Sequence, residues 1–416
     1  MSKEAIILAG GLGTRLRSAV PELPKCRAPV AGKPFLFYVI NALRMQGVEK
    51  FIFSLGYKHE VIEEWLHDHF GTLAYQVVIE EEPLGTGGAI KYACSKATEA
   101  TVVVTNGDTL FKAQLDPLRA LHAERGAACS LTLRPMENFD RYGVVETDAS
   151  GAVTSFREKQ QYEKGNINGG LYLLNVAQFL AHDFPDKFSF EKDYLEKYCG
   201  QLPFFALPDA AYFIDIGIPE DFNRAQEELA LKPLDLSAID QSWTLFLDRD
   251  GVINIDKPGS YIFHPDEFIF LEGLPEGFKK LKQKFGRCIV VTNQRGTGRG
   301  LMTEATLHTI HDKMKSAITA AGGLIDAVYY STAVDNHFPT RKPNPGMALQ
   351  AAKDVPGIDI AKSVMVGNNI SDMKFGRNAG MFTVFVKTTI PDVKLPHPDI
   401  DLCYNNLDEF IKALPA

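Results

Sequence analysis

At 416 residues the chain exceeds one average domain, and 45% hydrophobic and 23% charged residues are the composition of globular protein with real cores rather than of a disordered or fibrous chain. Lys+Arg 44 against Asp+Glu 52 leaves a net charge of −8. That balance lacks the basic excess needed to hold a polyanion by counterion release, so nucleic acid is excluded as a general partner while local phosphate sites are not. The six cysteines (Cys26, Cys94, Cys129, Cys199, Cys288, Cys403) form no Cys-x-x-Cys pair, which argues against a zinc knuckle or disulfide framework and for a reducing cytoplasm. The apolar run 5–9 is too short for a signal-peptide core, and no later run reaches the length of a membrane span.

Apolar runs at 5–9, 50–55, 75–79 and 101–105 read as strands, and the amphipathic stretches 35–46, 59–70 and 87–96 read as helices. After a helical 219–231 the chain loses periodicity from Lys232 to Gln241 and carries Pro233, which places a linker at 233–241 between domains 1–232 and 242–416. A second cycle follows, with strands at 243–247, 287–292, 327–331, 363–366 and 383–386 and helices at 276–284 and 303–321. The pattern is two α/β units in series, without internal repeats.

The first strand runs into Gly10-Gly11-Leu12-Gly13-Thr14-Arg15-Leu16-Arg17, where glycines let backbone N–H groups approach an anion. Taken alone the loop is equally a tight turn that needs positive φ. It is neither a dinucleotide fingerprint nor a P-loop. With Pro24-Lys25, Glu82-Pro83-Leu84-Gly85-Thr86-Gly87-Gly88, Asn106-Gly107-Asp108, Phe156-Arg157-Glu158-Lys159, Asn168-Gly169-Gly170 and Ile214-Asp215-Ile216-Gly217, it resembles the sugar-phosphate nucleotidyltransferase family over residues 3 to about 230.

The resemblance implies a Rossmann-like, glycosyltransferase-A-like fold and a set of roles. Gly11, Gly13, Thr14 and Arg15 would hold the triphosphate, Arg15 drawing charge toward pyrophosphate, and Lys25 would lie over the reacting phosphates. Asp108 and Asp215 would share one Mg²⁺, Lys159 would grip the sugar phosphate, Glu158 a sugar hydroxyl, and Gly85, Thr86 and Gly87 would face the base. Asn168 and Gly169 would complete the sugar-phosphate site. Singly, each residue has a plainer reading: Asp108 as a cap, Lys159 as a solvated charge, Gly169-Gly170 as a bulge. Within the family, the runs 167–172, 188–193 and 213–221 look most like guanylyltransferases acting on heptose 1-phosphate. Cys26-Arg27 departs from the apolar pair usual after Pro-Lys.

In the second half, Asp248-Arg249-Asp250-Gly251 follows a strand, and pleat alternation turns both carboxylates to one side, suited to nucleophile and acid/base roles or to a charged turn. With Thr292-Asn293-Gln294 and Arg341-Lys342-Pro343, residues 243 to about 390 resemble the haloacid dehalogenase phosphatase superfamily, a Rossmann-like fold, here with no room for a large cap. The resemblance implies that Asp248 forms an aspartyl-phosphate, that Asp250 serves as acid and base, and that Thr292 and Asn293 bind phosphoryl oxygens. Lys342 would balance charge, with a second Mg²⁺ at Asp248 and Asp250. Asn368 stands where an acidic metal ligand is usual, and Asp372 is the candidate for the remaining carboxylate.

These motifs look like heptose 1,7-bisphosphate phosphatases. The stretch 331–340 has His337 and no cysteine, so no zinc is expected. Together the halves imply a cytoplasmic bifunctional enzyme that removes the 7-phosphate and then uses GTP to make GDP-D-glycero-D-manno-heptose for a surface glycan. No membrane partner is implied, and a homo-oligomer is left open. The alternatives are a mannose- or other hexose-1-phosphate nucleotidyltransferase fused to an unrelated phosphatase, or to a non-catalytic sugar-phosphate sensor.

Overall fold

A computed structural model describes residues 2–11, 16, 20–70, 73–230, 233–336 and 338–415. The chain divides into two compact units, Met1–Leu231 and Lys232–Ala416.

In the first unit the buried strand Glu4–Leu8 lies between Lys50–Leu55 and Thr101–Asn106, parallel to both, with Leu8 opposite Ser54 on one side and Asn106 on the other. Ala74–Ile79 extends the parallel side beyond Lys50–Leu55. Covered on both faces, the three inner strands read as continuous apolar runs, while the edge strand Ala74–Ile79 is only partly buried. Ile7, Phe51 and Phe53 pack with Phe35, Leu36, Val39, Ile40 and Leu43 of helix Phe35–Met45, while Ile6, Ile52 and Val104 face the opposite core. That second core holds an aromatic nest in which Phe179 meets Tyr194 edge-on at 5.0 Å and Phe184 stacks on Phe188 at 4.4 Å.

Beyond Thr101–Asn106 the sheet turns antiparallel. Tyr162–Asn175 pairs with it and with Cys129–Phe139, which in turn runs parallel to Phe204–Pro208, and the hairpin Val144–Thr147/Val153–Arg157 joins the edge. Pairing to Cys129–Phe139 slips between Asn168 and Tyr172, so Gly169-Gly170 is a bulge, with Gly170 at φ +70°. A separate ribbon pairs Thr109–Phe111 with Phe213–Asp215, setting Thr109 opposite Asp215.

The second unit is a parallel sheet in the order Ala327–Ser331, Arg287–Asn293, Thr244–Leu247, Ser363–Gly367, Phe382–Val386, Leu402–Tyr404. Helices such as Glu304–Ala320 and Ile370–Ala379 cover it. Among the described residues, the excursion between Leu247 and helix Phe278–Lys284 holds only isolated bridges and the short 3-10 helix Pro265–Glu267. The sequence starts that helix at 276, but the turn 273–277 precedes it, with Gly273 at φ +79°. Among the described residues no helix is long and apolar enough to cross a membrane, and all six cysteines are free.

Phe246, at 0% exposure in the central strand of the second unit, is a test of this core. Phe246→Ala is expected to destabilise that unit by about 3–5 kcal/mol, read as a lower denaturation midpoint for loss of its activity.

Candidate active sites

Both sheets reverse strand order beside their central strand, where the C-terminal ends of parallel strands leave a crevice. In the first unit Gly10 and Gly11 follow Glu4–Leu8, and Gly107 and Asp108 follow Thr101–Asn106. The Gly107 N–H donates to Leu8 O at 2.8 Å, and the Ile216 N–H to Asp108 O at 3.1 Å. Through the Thr109/Asp215 pairing this brings two carboxylates, far apart in sequence, onto one cation: Lys25 Nζ lies 2.5 Å from Asp108 Oδ2 and 3.3 Å from Asp215 Oδ1. Gly217 donates its N–H to Asp215 Oδ1 at 2.8 Å, and a Cβ there would fall 2.9 Å from that oxygen and 3.1 Å from Lys25 Nζ, pressing on the ends of both side chains. Burial raises the Asp215 pKa, Lys25 opposes, and the like charge of Asp108 adds to the rise. Cys26 is buried and its thiol is pushed up to about 12 by burial and then Asp108, so beside Lys25 it is an inert filler, while Arg27 stacks 4.9 Å over Trp65.

Of the glycine loop, Gly13, Thr14 and Arg15 lie outside the described residues. Gly10 is needed for packing, since a Cβ would come 2.6 Å from Glu80 Oε1. Gly11 is different: it is exposed, has no positive φ, and a Cβ would meet none of the described residues within 4 Å.

A cleft of about 630 Å³ opens beside Asp215 and is lined by Glu158, Lys159, Asn168 and Gly169. Here the bulge and the site coincide. The Asn168 amide donates to Tyr172 Oη at 2.9 Å and accepts from the Gly170 N–H at 3.1 Å, fixing the floor. Gly85, Thr86 and Gly87 open helix Gly85–Cys94. The Gly87 N–H donates to Phe188 O at 3.0 Å, a Cβ at Gly87 would strike the Phe188 ring at 2.2 Å, and Thr86 Oγ1 donates to Glu191 Oε2 at 2.6 Å. Those contacts give Gly87 and Thr86 a packing role against the 188–191 segment that sequence alone does not reveal; Glu191 also lines the cleft.

In the second unit Asp248 follows Thr244–Leu247, Thr292 and Asn293 end Arg287–Asn293, and Asn368 follows Ser363–Gly367. The buried Lys342 ammonium has three partners: Asp248 Oδ1 at 2.8 Å, Asp372 Oδ1 at 2.7 Å and Val291 O at 2.9 Å. Burial pushes the Asp248 pKa up to about 7; Lys342 opposes, and Asp372 adds to the rise. Asp372 Oδ2 also accepts the Asn369 N–H at 3.0 Å in the capping box of helix Ile370–Ala379. Both its oxygens are engaged, so Asp372 acts here on the lysine and the helix. Asn293 likewise faces Lys342, accepting its backbone N–H at 3.0 Å and donating to its carbonyl at 3.2 Å.

Asp250 lies beyond the strand, where the pleat no longer sets direction. Gly251 turns the chain at φ +76°, and a Cβ there would lie 2.0 Å from Asn368 Nδ2. Asn368 Nδ2 donates to Asp250 O at 3.1 Å and to Thr389 Oγ1 at 2.6 Å. The Asp250 carboxylate instead receives Arg249 (Nη2 to Oδ1 at 2.9 Å and Oδ2 at 2.8 Å), Asn254 at 3.0 Å and Gln294 at 3.0 Å. Burial favours a higher Asp250 pKa, but these donors, Arg249 foremost, outweigh it and hold the carboxyl below its usual range. Gln294 also donates to Thr292 Oγ1 at 2.9 Å.

Arg249, Gln294 and three further arginines escaped the sequence reading. Arg295 and Arg299 follow the Thr292–Asn293 strand end, and Arg341 precedes Lys342. Burial, then Arg295 and Arg299, lower the Arg341 pKa. Arg295 donates to Val334 O at 2.7 Å and Arg341 to Ala333 O and Asn336 Oδ1 at 3.1 Å each, and among the described residues none of the three has a carboxylate in ion-pair reach. The basic residues in and beside the motifs, Arg295 and Arg299 after Gln294 and Arg341 before Lys342, were the available signal. His337 lies outside the described residues.

Residues 339–410 match the HAD-hydrolase-like family model. A solved D,D-heptose 1,7-bisphosphate phosphatase from B. bronchiseptica aligns with 41% of this chain and 97% of its own at 32% identity, with a TM-score of 0.38. The first unit is similar to the D-glycero-alpha-D-manno-heptose 1-phosphate guanylyltransferase of Aneurinibacillus thermoaerophilus, 50% identical over 226 residues, 54% of this chain and 98% of that one. It is similar also to the crystal structure of HddC from Yersinia pseudotuberculosis, at 38% identity and TM-score 0.50, covering 55% of this chain and 99% of that one. Residues 4–232, more than half of the chain, match the nucleotidyl transferase family model, and the chain belongs to the nucleotidyl transferase family.

Proposed function

We propose that this chain performs two consecutive reactions of nucleotide-activated heptose synthesis. The second unit removes the C7 phosphate of a heptose 1,7-bisphosphate through an aspartyl-phosphate on Asp248. The first transfers GMP from cytoplasmic GTP to heptose 1-phosphate, giving GDP-D-glycero-D-manno-heptose and pyrophosphate. The observation that carries this reading is the fusion itself. A Lys25–Asp108–Asp215 site, on a unit similar along its length to heptose 1-phosphate guanylyltransferases, shares a chain with an Asp248–Lys342–Asp372 site.

In the first unit the sugar lies in the 630 Å³ cleft. Lys159 holds its phosphate, Glu158 a hydroxyl, and the Asn168–Gly169 floor supports the ring. A phosphate oxygen of the sugar attacks the α-phosphorus of GTP while Gly11, Gly13, Thr14 and Arg15 hold the triphosphate and Lys25 steadies the charge in flight. Gly85, Thr86 and Gly87 border the base. Two carboxylates converging on one cation fit Mg²⁺ in place of the lysine, and Mg²⁺ would offset the charge of the departing pyrophosphate.

In the second unit Asp248 is the nucleophile, Asp250 the acid and base, and Thr292 with Asn293 borders the phosphoryl group. Asp248 and the Asp250 carbonyl would hold Mg²⁺, and Asn368, whose Nδ2 faces that carbonyl, would join them with its amide turned to present Oδ1, giving fewer charges than a three-carboxylate set. Arg295, Arg299 and Arg341, without a carboxylate partner among the described residues, suit a second phosphate, which supports a bisphosphate substrate, and the short excursion between Leu247 and Phe278 leaves room for an extended one.

Incubation with heptose 1,7-bisphosphate, GTP and Mg²⁺ is expected to give GDP-heptose by mass spectrometry. Better use of mannose 1-phosphate, with another nucleotide, would defeat the sugar assignment. Asp248→Asn is expected to abolish phosphate release and spare guanylyl transfer, and Asp108→Asn the reverse; the first result also excludes a non-catalytic sensor. Because Asp372 engages Lys342, Asp372→Asn should cut phosphate turnover more than about tenfold yet leave the Mg²⁺ concentration for half-maximal rate within about twofold. Asn368→Asp, which adds a ligand charge, should lower that concentration roughly tenfold.

A further inference from the structure

Arg249 stands one residue after the candidate nucleophile and is wholly buried, at 0% exposure. A guanidinium withdrawn from water needs acceptors for its N–H groups, and here they come from three side chains. Nε and Nη2 fork onto Asp250, at 3.1 Å and 2.9 Å to Oδ1 and 2.8 Å to Oδ2. Nη2 also reaches Gln294 Oε1 at 3.2 Å, and Nη1 reaches His311 Nε2 at 3.1 Å. Arginine only donates, so His311 Nε2 must be an acceptor. Burial, then Arg249, push the His311 pKa down to about 3, which keeps the ring neutral.

We propose that Arg249 is a positioning residue for Asp250, fixing the plane of the acid/base carboxylate, with His311 and Gln294 holding the guanidinium in turn. The proposal rests on the phosphatase reading of this site. Full burial separates Arg249 from a phosphate-binding arginine, since a substrate arriving from solvent does not reach it. A two-pronged contact sets both position and tilt of a carboxylate, which the point charge of a lysine does not.

The consequence falls on both halves of the reaction. In the first, an Asp248 oxygen bonds to phosphorus, the bond from phosphorus to the leaving oxygen breaks, and Asp250, protonated once the negative charge of the phosphate stands beside it, gives that oxygen its proton. In the second, water bonds to phosphorus, the bond to Asp248 breaks, and Asp250 takes the water proton, regaining its starting state. A p-nitrophenolate leaving group needs no proton, so with p-nitrophenyl phosphate the first half is insensitive to Asp250 while the second still depends on it.

The test is rapid-mixing kinetics of the full chain with p-nitrophenyl phosphate and Mg²⁺. Arg249→Lys should give a burst of about one p-nitrophenolate per chain, followed by a steady rate at least about tenfold below wild type, and Asp250→Asn should give the same pattern. Burst amplitude counts competent sites, so a misfolded fraction lowers the amplitude but not the slow rate per site. His311→Phe, which removes only the outer acceptor, should show the same pattern more weakly and stands in where Arg249→Lys does not fold. An unchanged steady rate per burst site in both variants, or a burst lost in step with it, overturns the proposal. Wild-type turnover that survives Asp248→Asn would instead overturn the phosphatase reading beneath it.

Discussion

A lysine ammonium withdrawn from water must be surrounded by acceptors and counter-charge, because stranding one costs several kcal/mol. Each half of this chain meets that demand by placing one lysine between two carboxylates, one of which, Asp108 or Asp248, stands just past a parallel strand. Lys25 joins Asp108 to Asp215, and Lys342 joins Asp248 to Asp372. The rest follows from the need to bring those three groups together. In the first unit a two-residue register, Thr109 against Asp215, closes a gap of more than a hundred residues. In the second, a capping box orients Asp372, and Asn293 grips the lysine backbone from the neighbouring strand. Two carboxylates to one lysine leave each cluster with an excess of negative charge when both are ionised, which suits a phosphate that arrives with a divalent cation.

The two lysines are not equivalent. Lys342 has all three N–H groups engaged, including Val291 O, and is fixed. Lys25 touches only the two carboxylates among the described residues, so a divalent cation arriving between them can displace it toward the phosphates without breaking other bonds. A side chain at 217 would press on Asp215 Oδ1 and Lys25 Nζ, and glycine spares both that contact.

What the sequence made legible was local. Strands buried on both faces, such as Glu4–Leu8 and Thr244–Leu247, announce themselves as apolar runs, and the motifs hang from their ends. The antiparallel region between residues 106 and 219 did not, because Tyr162–Asn175 carries glycines, charges and a register slip, and its partners lie far along the chain. Glu158, Lys159, Asn168 and Gly169 were therefore named from motifs, and only the fold gathers them into one cleft. The direction of Asp250 was illegible for a different reason: the strand ends at Leu247, and a buried arginine, rather than the pleat, aims the carboxylate. The functions of Asp372 and Asn293 depend on Lys342 lying between them, which no spacing encodes.

The net charge of −8 takes on a narrower meaning beside this geometry. It repels polyanions over the surface as a whole, yet Arg295, Arg299 and Arg341 stand near one another in the second unit with no carboxylate in ion-pair reach among the described residues. Arginines that lean on backbone carbonyls keep their charge for a ligand, since a carbonyl orients a guanidinium without cancelling it. At the nearby acid/base, full pairing to Asp250 removes Arg249 from such use. Arginine thus has two environments within one unit, fully buried against a carboxylate at Arg249 and part-buried or exposed with no carboxylate partner among the described residues at Arg295, Arg299 and Arg341, and pairing rather than sequence position separates them.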